Sequence, residues 1–230
     1  MLYKQYCVVL PSYLTAQEVD YIHGYANSLP IQEGRLGFGH GADKDSIQTR
    51  SGDEGHSDNK IRQSTNKWLD HNAQDFDVTL KQKIFDGMVK ANQMSGWNYE
   101  VDDMETWQYT VYEHQPDLPT GDFYTWHTDA GAEPYPNGRI RKISCSVQLS
   151  DPEDYEGGHF QWIEPVAVFD KLKFKGQMIS QDELIHTAPF SGREKGSLLV
   201  FPSWVHHQVT PVSRGIRKSL VVWNTGWPLK

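Results

Sequence analysis

The sequence predicts an α+β fold in which N-terminal helices back a C-terminal double sheet of antiparallel strands, closed as a jelly roll. Three observations carry this. Up to residue 96 the apolar residues recur at helical spacing, and from residue 97 onward they alternate, which is the period of strands. The alternating runs are short and are split by Gly, Pro, Asp and Asn, as in sandwiches and barrels. The chain has 230 residues, 37% of them hydrophobic and 12% aromatic, enough to bury such a core without disulfides.

The elements follow in order. "YCVVLPSYL" has strand character and breaks at Pro11. Thr15 and Glu18 stand at capping-box spacing and open a helix whose inner face is Val19, Ile22 and Ala26. Residues 34–60 are polar and glycine-rich, a long loop read as a candidate lid. A second helix buries Phe76, Leu80, Ile84, Met88 and Ala91, and Gly96 ends it. The strand-like runs are then "METWQYTVYE", "DFYTWHTD", "RIRKISCSVQLS", "GGHFQWIEPVAVF", "GSLLVFPS", "WVHHQVTPV" and "GIRKSLVVWN", with a long excursion over 170–195. We read 1–230 as one domain, with 1–96 as a helical support region and 97–230 as the β core. "YEGG" at 155–158 reads as a turn before a strand, not a phosphate cradle, because no helix follows it.

Composition excludes several functions. A net charge of −8 argues against nucleic acid or an anionic membrane as partner. No apolar run reaches membrane-spanning length, and the first residues lack a signal-peptide pattern. Cys7 and Cys145 lie far apart and in no metal or redox spacing. A soluble cytoplasmic protein is expected.

The chemistry starts at "WHTDAG". His127 and Asp129 are two apart, and on a strand they would share a face. "FPSWVHHQVTPV" supplies a third ligand: Val205, His207 and Val209 share one face, so alternation selects His207 over His206. Two imidazoles and one carboxylate leave the opposite metal positions open, the arrangement of non-heme Fe(II) oxygenases. A hydrolytic zinc site fits the same ligand types. Ten positions on, Arg217 begins a strand face continued by Ser219, Val221 and Trp223. Alone, Arg217 would read as a surface arginine. Placed after His207, a guanidinium with a neighbouring hydroxyl is what a buried carboxylate needs, and a 2-oxoacid could reach it while chelating iron.

At these residues the chain resembles the 2-oxoglutarate/Fe(II) dioxygenase superfamily, in its prolyl 4-hydroxylase-like branch. The segments are "HTD", "RKISCSVQLSDPEDYEGGHF" and "GSLLVFPSWVHHQVTPVSRGIRKSLVVW", and the likeness runs back through "IRQSTNKWL". The chain is similar to bacterial and phage peptidyl-prolyl hydroxylase-like proteins. The resemblance implies a double-stranded β-helix, Fe(II) on His127, Asp129 and His207, and 2-oxoglutarate held through its C5 carboxylate by Arg217. It implies cosubstrate contacts from Tyr112 and Tyr124, and an aromatic wall at Trp223. Gln148 falls where some relatives carry a tyrosine that binds the same carboxylate. The resemblance further implies O2 as second cosubstrate, succinate and CO2 as coproducts, ascorbate as reductant, and a prolyl residue of a peptide or protein as substrate. The same machinery on a free amino acid, small metabolite or nucleoside is the alternative, and a non-catalytic cupin-like metal module the second.

The remaining tempting residues are read as structural. His23, His40, His56, His71 and His114 are expected to be solvated, and His159 and His186 not to be ligands. Trp97, Trp107 and Trp227 are read as packing residues. Trp126 and Trp162 stand between core and pocket rim.

Overall fold

The computed structural model describes residues 5–33, 61–116, 120–131, 133–164 and 184–228. The candidate lid at 34–60, with His40 and His56, lies outside them, as do residues 165–183, which include 170–183 of the excursion. Two α-helices are described, α1 (Ala16–Asn27) and α2 (Val78–Met94), with a short 3-10 turn at Phe190–Gly192. The strands are β1 (Val8–Leu10), β2 (Gln32–Glu33), β3 (Arg62–Gln63), β4 (Thr65–Leu69), β5 (Asp103–Met104), β6 (Trp107–Glu113), β7 (Phe123–His127), β8 (Ile140–Gln148), β9 (Tyr155–Gly157), β10 (Phe160–Ile163), β11 (Ile185–Thr187), β12 (Leu198–Pro202), β13 (His207–Val209) and β14 (Val212–Gly226).

α1 begins where its capping box predicts, whereas α2 begins at Val78, two residues after the Phe76 that opens the sequence reading. The Thr15 hydroxyl accepts the Glu18 backbone N–H, and Glu18 returns a carboxylate to the Thr15 N–H, satisfying amides that the first turn leaves unpaired. Asp77 caps α2 by accepting from the Thr79 and Leu80 amides. Phe76 lies before the helix yet still belongs to its buried stripe, edge-on to Trp107 at 5.2 Å. Gly87 lets α2 approach the sheet: a Cβ there would meet the Tyr13 ring at 2.9 Å and Leu198 at 3.0 Å.

The strands form two antiparallel sheets. The larger runs β1-β12-β8-β14-β6-β4-β2, with β5 and β9 also paired to β14. The smaller runs β11-β10-β13-β7-β3. The helices cover the outer face of the larger sheet: Val19, Ile22, Leu80, Ile84 and Met88 pack on Trp107, Cys145, Val147, Leu220 and Val222. The inner face meets the smaller sheet through two small clusters. Phe160 and Val205 pack with Phe201 and Leu199, and Val209 packs with Tyr112 and Tyr155. This is the jelly-roll closure, with helices on one outer face.

Several short strands escape the sequence reading. β3 and β4 carry strands of both sheets into the first 96 residues, so the boundary at residue 96 does not divide the sheets. In "YEGG", residues 155–157 are a short strand on β14, and the turn falls on Gly157 and Gly158, both at positive φ. Three side chains also correct the reading. His71 is buried at 4% exposure, edge-on to Trp107 at 5.3 Å, because the turn before α2 folds under the sheet. His23 is partly buried: its Nε2 donates to the Leu149 carbonyl and its Nδ1 accepts from the Tyr109 hydroxyl. Trp227 is 57% exposed, with the Arg139 guanidinium over its ring. Among the described residues no helix is long and apolar enough to cross a membrane.

Candidate metal centre and cosubstrate pocket

β7 and β13 are neighbours in the smaller sheet, and their register sets His127 directly opposite His207. Both rings are therefore on one face. Burial before His207 matches the expectation, with Val205 and His207 buried and His206 exposed, although residues 203–205 are a turn and bend and β13 begins only at His207. Asp129 arrives differently. β7 ends at His127, so strand alternation does not place the aspartate; a bend does, pinned where the Asp129 and Ala130 amides both donate to the Ser203 carbonyl at 2.8 Å. One ligand atom from each of His127, Asp129 and His207 lies within 4.8 Å of the others.

The protonation pattern follows from the contacts. His127 Nδ1 lies 2.7 Å from the Thr125 carbonyl, and His207 Nδ1 lies 2.9 Å from the Val205 carbonyl. A carbonyl can only accept, so each Nδ1 carries the proton and the lone pair of the neutral ring sits on Nε2. Each Nε2 is 3.7 Å from an Asp129 oxygen, too long for a hydrogen bond. Burial, with His207 beside it, holds His127 well below the usual imidazole range. Burial alone would raise the Asp129 carboxyl; His207, His127, Arg141 and the Ser144 hydroxyl outweigh it and hold it at about 2. A neutral imidazole and an ionised carboxylate are the forms that bind a metal. Asp129 Oδ2 is buried and has no hydrogen-bond donor among the described residues, as a carboxylate oxygen kept for a cation would be.

Arg217 lies on the inner face of β14 and is 1% exposed. Its partners among the described residues are neutral: Nη2 donates to Gln148 Oε1 at 3.0 Å and Nη1 to Ser219 Oγ at 3.3 Å, while Nε has none. A buried guanidinium surrounded by neutral groups is costly until an anion joins it. Gly158 closes over its stem, and a Cβ there would meet Arg217 Cδ at 2.8 Å. The Tyr112 ring lies under the guanidinium at 5.4 Å, and Tyr124 stacks on His127 at 3.4 Å between centroids. Burial raises both phenols, so both stay protonated donors. Trp223 is buried beside Trp68, with the Arg141 guanidinium 3.7 Å over its ring.

Sequence reasoning missed part of this pocket. Arg62 is buried, donates to Ser64 and Asn66 and lies 4.7 Å over Tyr124. Arg141 makes a paired hydrogen bond to Glu105 beside Trp223. Gln108, Thr110, Ser144 and Ser146 line the same inner face, all buried. The signal was present as alternation: on β6 and β8 one set of alternate residues is apolar and the other polar, although both faces are buried. His159 and His186 stand outside the ligand set, His159 accepting from Arg193 and His186 paired with Glu164.

The sequence profile of the 2OG-Fe(II) oxygenase superfamily matches residues 107–225, just over half of the chain. The chain belongs to this superfamily. Within it, a PKHD-type hydroxylase of Sphingopyxis alaskensis is 35% identical over 98 residues, which are 42% of this chain and 36% of that protein. The PKHD-type hydroxylase YbiX of Escherichia coli is 33% identical over 102 residues, 44% of this chain and 36% of its own. The matched stretch thus spans little more than a third of these curated relatives. Solved structures extend the likeness in fold. A Pseudomonas putida prolyl-4-hydroxylase superposes with a TM-score of 0.58 at 18% identity, over 95% of this chain and 92% of that one. A Trichoplax adhaerens prolyl hydroxylase, solved with a peptide fragment of hypoxia inducible factor, gives 0.60 at 16% identity, over 95% and 83%. The superfamily is one of enzymes that use Fe(II), 2-oxoglutarate and O2.

Proposed function

We propose that this oxygenase hydroxylates a prolyl residue in a peptide or protein, with succinate and CO2 as coproducts. The carrying observation is that a three-ligand set and a buried guanidinium with only neutral partners among the described residues share one polar interior. His127, Asp129 and His207 would hold Fe(II) through two Nε2 atoms and a carboxylate oxygen, leaving the opposite side open. Arg217 would take the far carboxylate of 2-oxoglutarate in its fork, with the Ser219 hydroxyl beside it. Bound iron with this cosubstrate supplies the oxidising power to hydroxylate an unactivated C–H bond. The chain's own part is to orient and to exclude water. Tyr124 fixes the His127 ring from its face, Tyr112 floors Arg217, and Gln148 holds the guanidinium in plane. Trp223, with Arg141, walls the side of the pocket.

The prolyl and polypeptide reading is supported by the hydroxylases that share the fold and by the PKHD-type relatives. Ascorbate as reductant rests on the resemblance alone. A reducing cytoplasmic setting is part of the proposal, and Cys7 and Cys145 are buried free thiols. The test is a turnover screen with Fe(II) and 2-oxoglutarate on proline-containing peptides, reading succinate and the mass gain of one oxygen on the peptide. Hydroxylated peptide supports the assignment. Succinate formation that no peptide stimulates, while an amino acid, metabolite or nucleoside does, overturns the substrate class and leaves the chemistry standing.

A further inference from the structure

The metal-ligand row does not stop at the histidines. Across the smaller sheet, His127 pairs with His207, His207 with Trp162, and Trp162 with His186. Directly paired residues of antiparallel strands project to the same side. His207 faces the interior, so Trp162 and His186 lie on that side too, at the height of the metal ligands and progressively further from them. Trp162 and His186 are stacked, with centroids 5.5 Å apart and planes 20° apart. The His186 Nε2 lies 3.0 Å from Glu164 Oε1, which fixes the outer end of the stack. This outer end is not sealed: the His186 and Glu164 side chains are 39% and 31% exposed. The opposite face of the same strands carries a solvent-side ladder of Gln208, Gln161 and Thr187, so the aromatic stack is specific to the interior side.

We propose that Trp162, His186 and Glu164 form a substrate subsite that takes a basic residue flanking the hydroxylated position. An indole and imidazole stack ending in a carboxylate suits a lysine or arginine, whose stem lies on the rings and whose charge meets the acid. The whole-chain charge of −8 attracts a substrate of the opposite, positive sign. Reach agrees. Neighbouring strands are about 4.8 Å apart, so His186 lies about 10 Å from the His207 backbone, which an extended peptide covers in about three residues at about 3.3 Å each. This inference rests on the polypeptide reading above and names the feature of the polypeptide that the site selects.

The probes are short alanine-glycine peptides with one central proline, carrying either lysine or glutamate three residues to each side. Two readouts are taken on the same preparations: binding of the labelled peptide by fluorescence anisotropy, and hydroxylation by mass. The wild-type protein is expected to prefer the lysine peptide about tenfold in both. Glu164→Gln, nearly the same shape and partly exposed, should reduce the preference to within about twofold. Glu164→Lys should turn it toward the glutamate peptide, which a merely structural role would not do. The 2-oxoglutarate requirement should not change in either variant. Equal binding of the two peptides by the wild type, or a lysine preference that survives Glu164→Lys, overturns the subsite. Lysine-selective binding that obeys Glu164 without hydroxylation upholds the subsite and overturns the prolyl reading; hydroxylation without selectivity does the reverse.

Discussion

The two faces of the larger sheet are equally dry and chemically opposite. On β14, Leu220 and Val222 point to the helices and Arg217, Ser219 and Trp223 point to the smaller sheet, and all five are at most 4% exposed. β6 and β8 repeat the division, with Trp107, Tyr109, Cys145 and Val147 outward and Gln108, Thr110, Ser144, Ser146 and Gln148 inward. The outer face contributes stability by removing apolar area from water. The inner face gives up much of that contribution, because a satisfied buried hydrogen bond contributes only about 0.5–1.5 kcal/mol net and an unsatisfied polar group costs more. A sheet that spends half its buried positions on Gln, Ser, Thr and Arg is specified for a polar ligand. Burial therefore does not separate core from site; the chemistry of alternate positions does.

The comparison predicts that substitutions on one face move function and on the other move stability. The largest effect is expected at the ligands. His127→Ala, Asp129→Ala or His207→Ala should abolish Fe(II) binding and succinate formation while the unfolding midpoint changes little. A ligand variant that binds iron normally by anaerobic titration would remove that residue from the set. Arg217→Ala comes next. Losing the buried partner of a carboxylate costs about 3–5 kcal/mol, so the 2-oxoglutarate requirement should rise by orders of magnitude with Fe(II) affinity kept. An unchanged 2-oxoglutarate titration would dissociate Arg217 from the cosubstrate.

On the other face of the same strand, Leu220→Ala should lower unfolding stability by about 2–5 kcal/mol, measured in denaturant, with the 2-oxoglutarate requirement unchanged under native conditions. A raised requirement there would mean the two faces are coupled through the strand and the division fails. Thr15→Ala removes a helix cap remote from the pocket and should cost about 1 kcal/mol. Smallest of all, His206→Ala should leave iron binding and stability nearly as they are, since its ring is exposed. If it abolishes iron binding instead, the facing of the adjacent histidines is wrong.

Much of this was legible from the residues alone. The switch of period near residue 97, the capping box at Thr15 and Glu18 and the alternation around His207 are local patterns, set by the geometry of a single helix or strand. The spacing of His127, Asp129, His207 and Arg217 matched a known constellation, and the first three converge in the structure. Tertiary structure decided the rest. Asp129 converges with the histidines through a bend held by Ser203, more than seventy positions along the chain, and not through strand alternation. Arg62, Arg141 and the Trp162–His186 row became part of one interior only through strand pairing. His71, expected to be solvated, is buried against Trp107. The physical reason is common to these cases. Local pattern fixes which way a side chain points from its own strand, whereas what it points at depends on register and closure between strands distant in sequence.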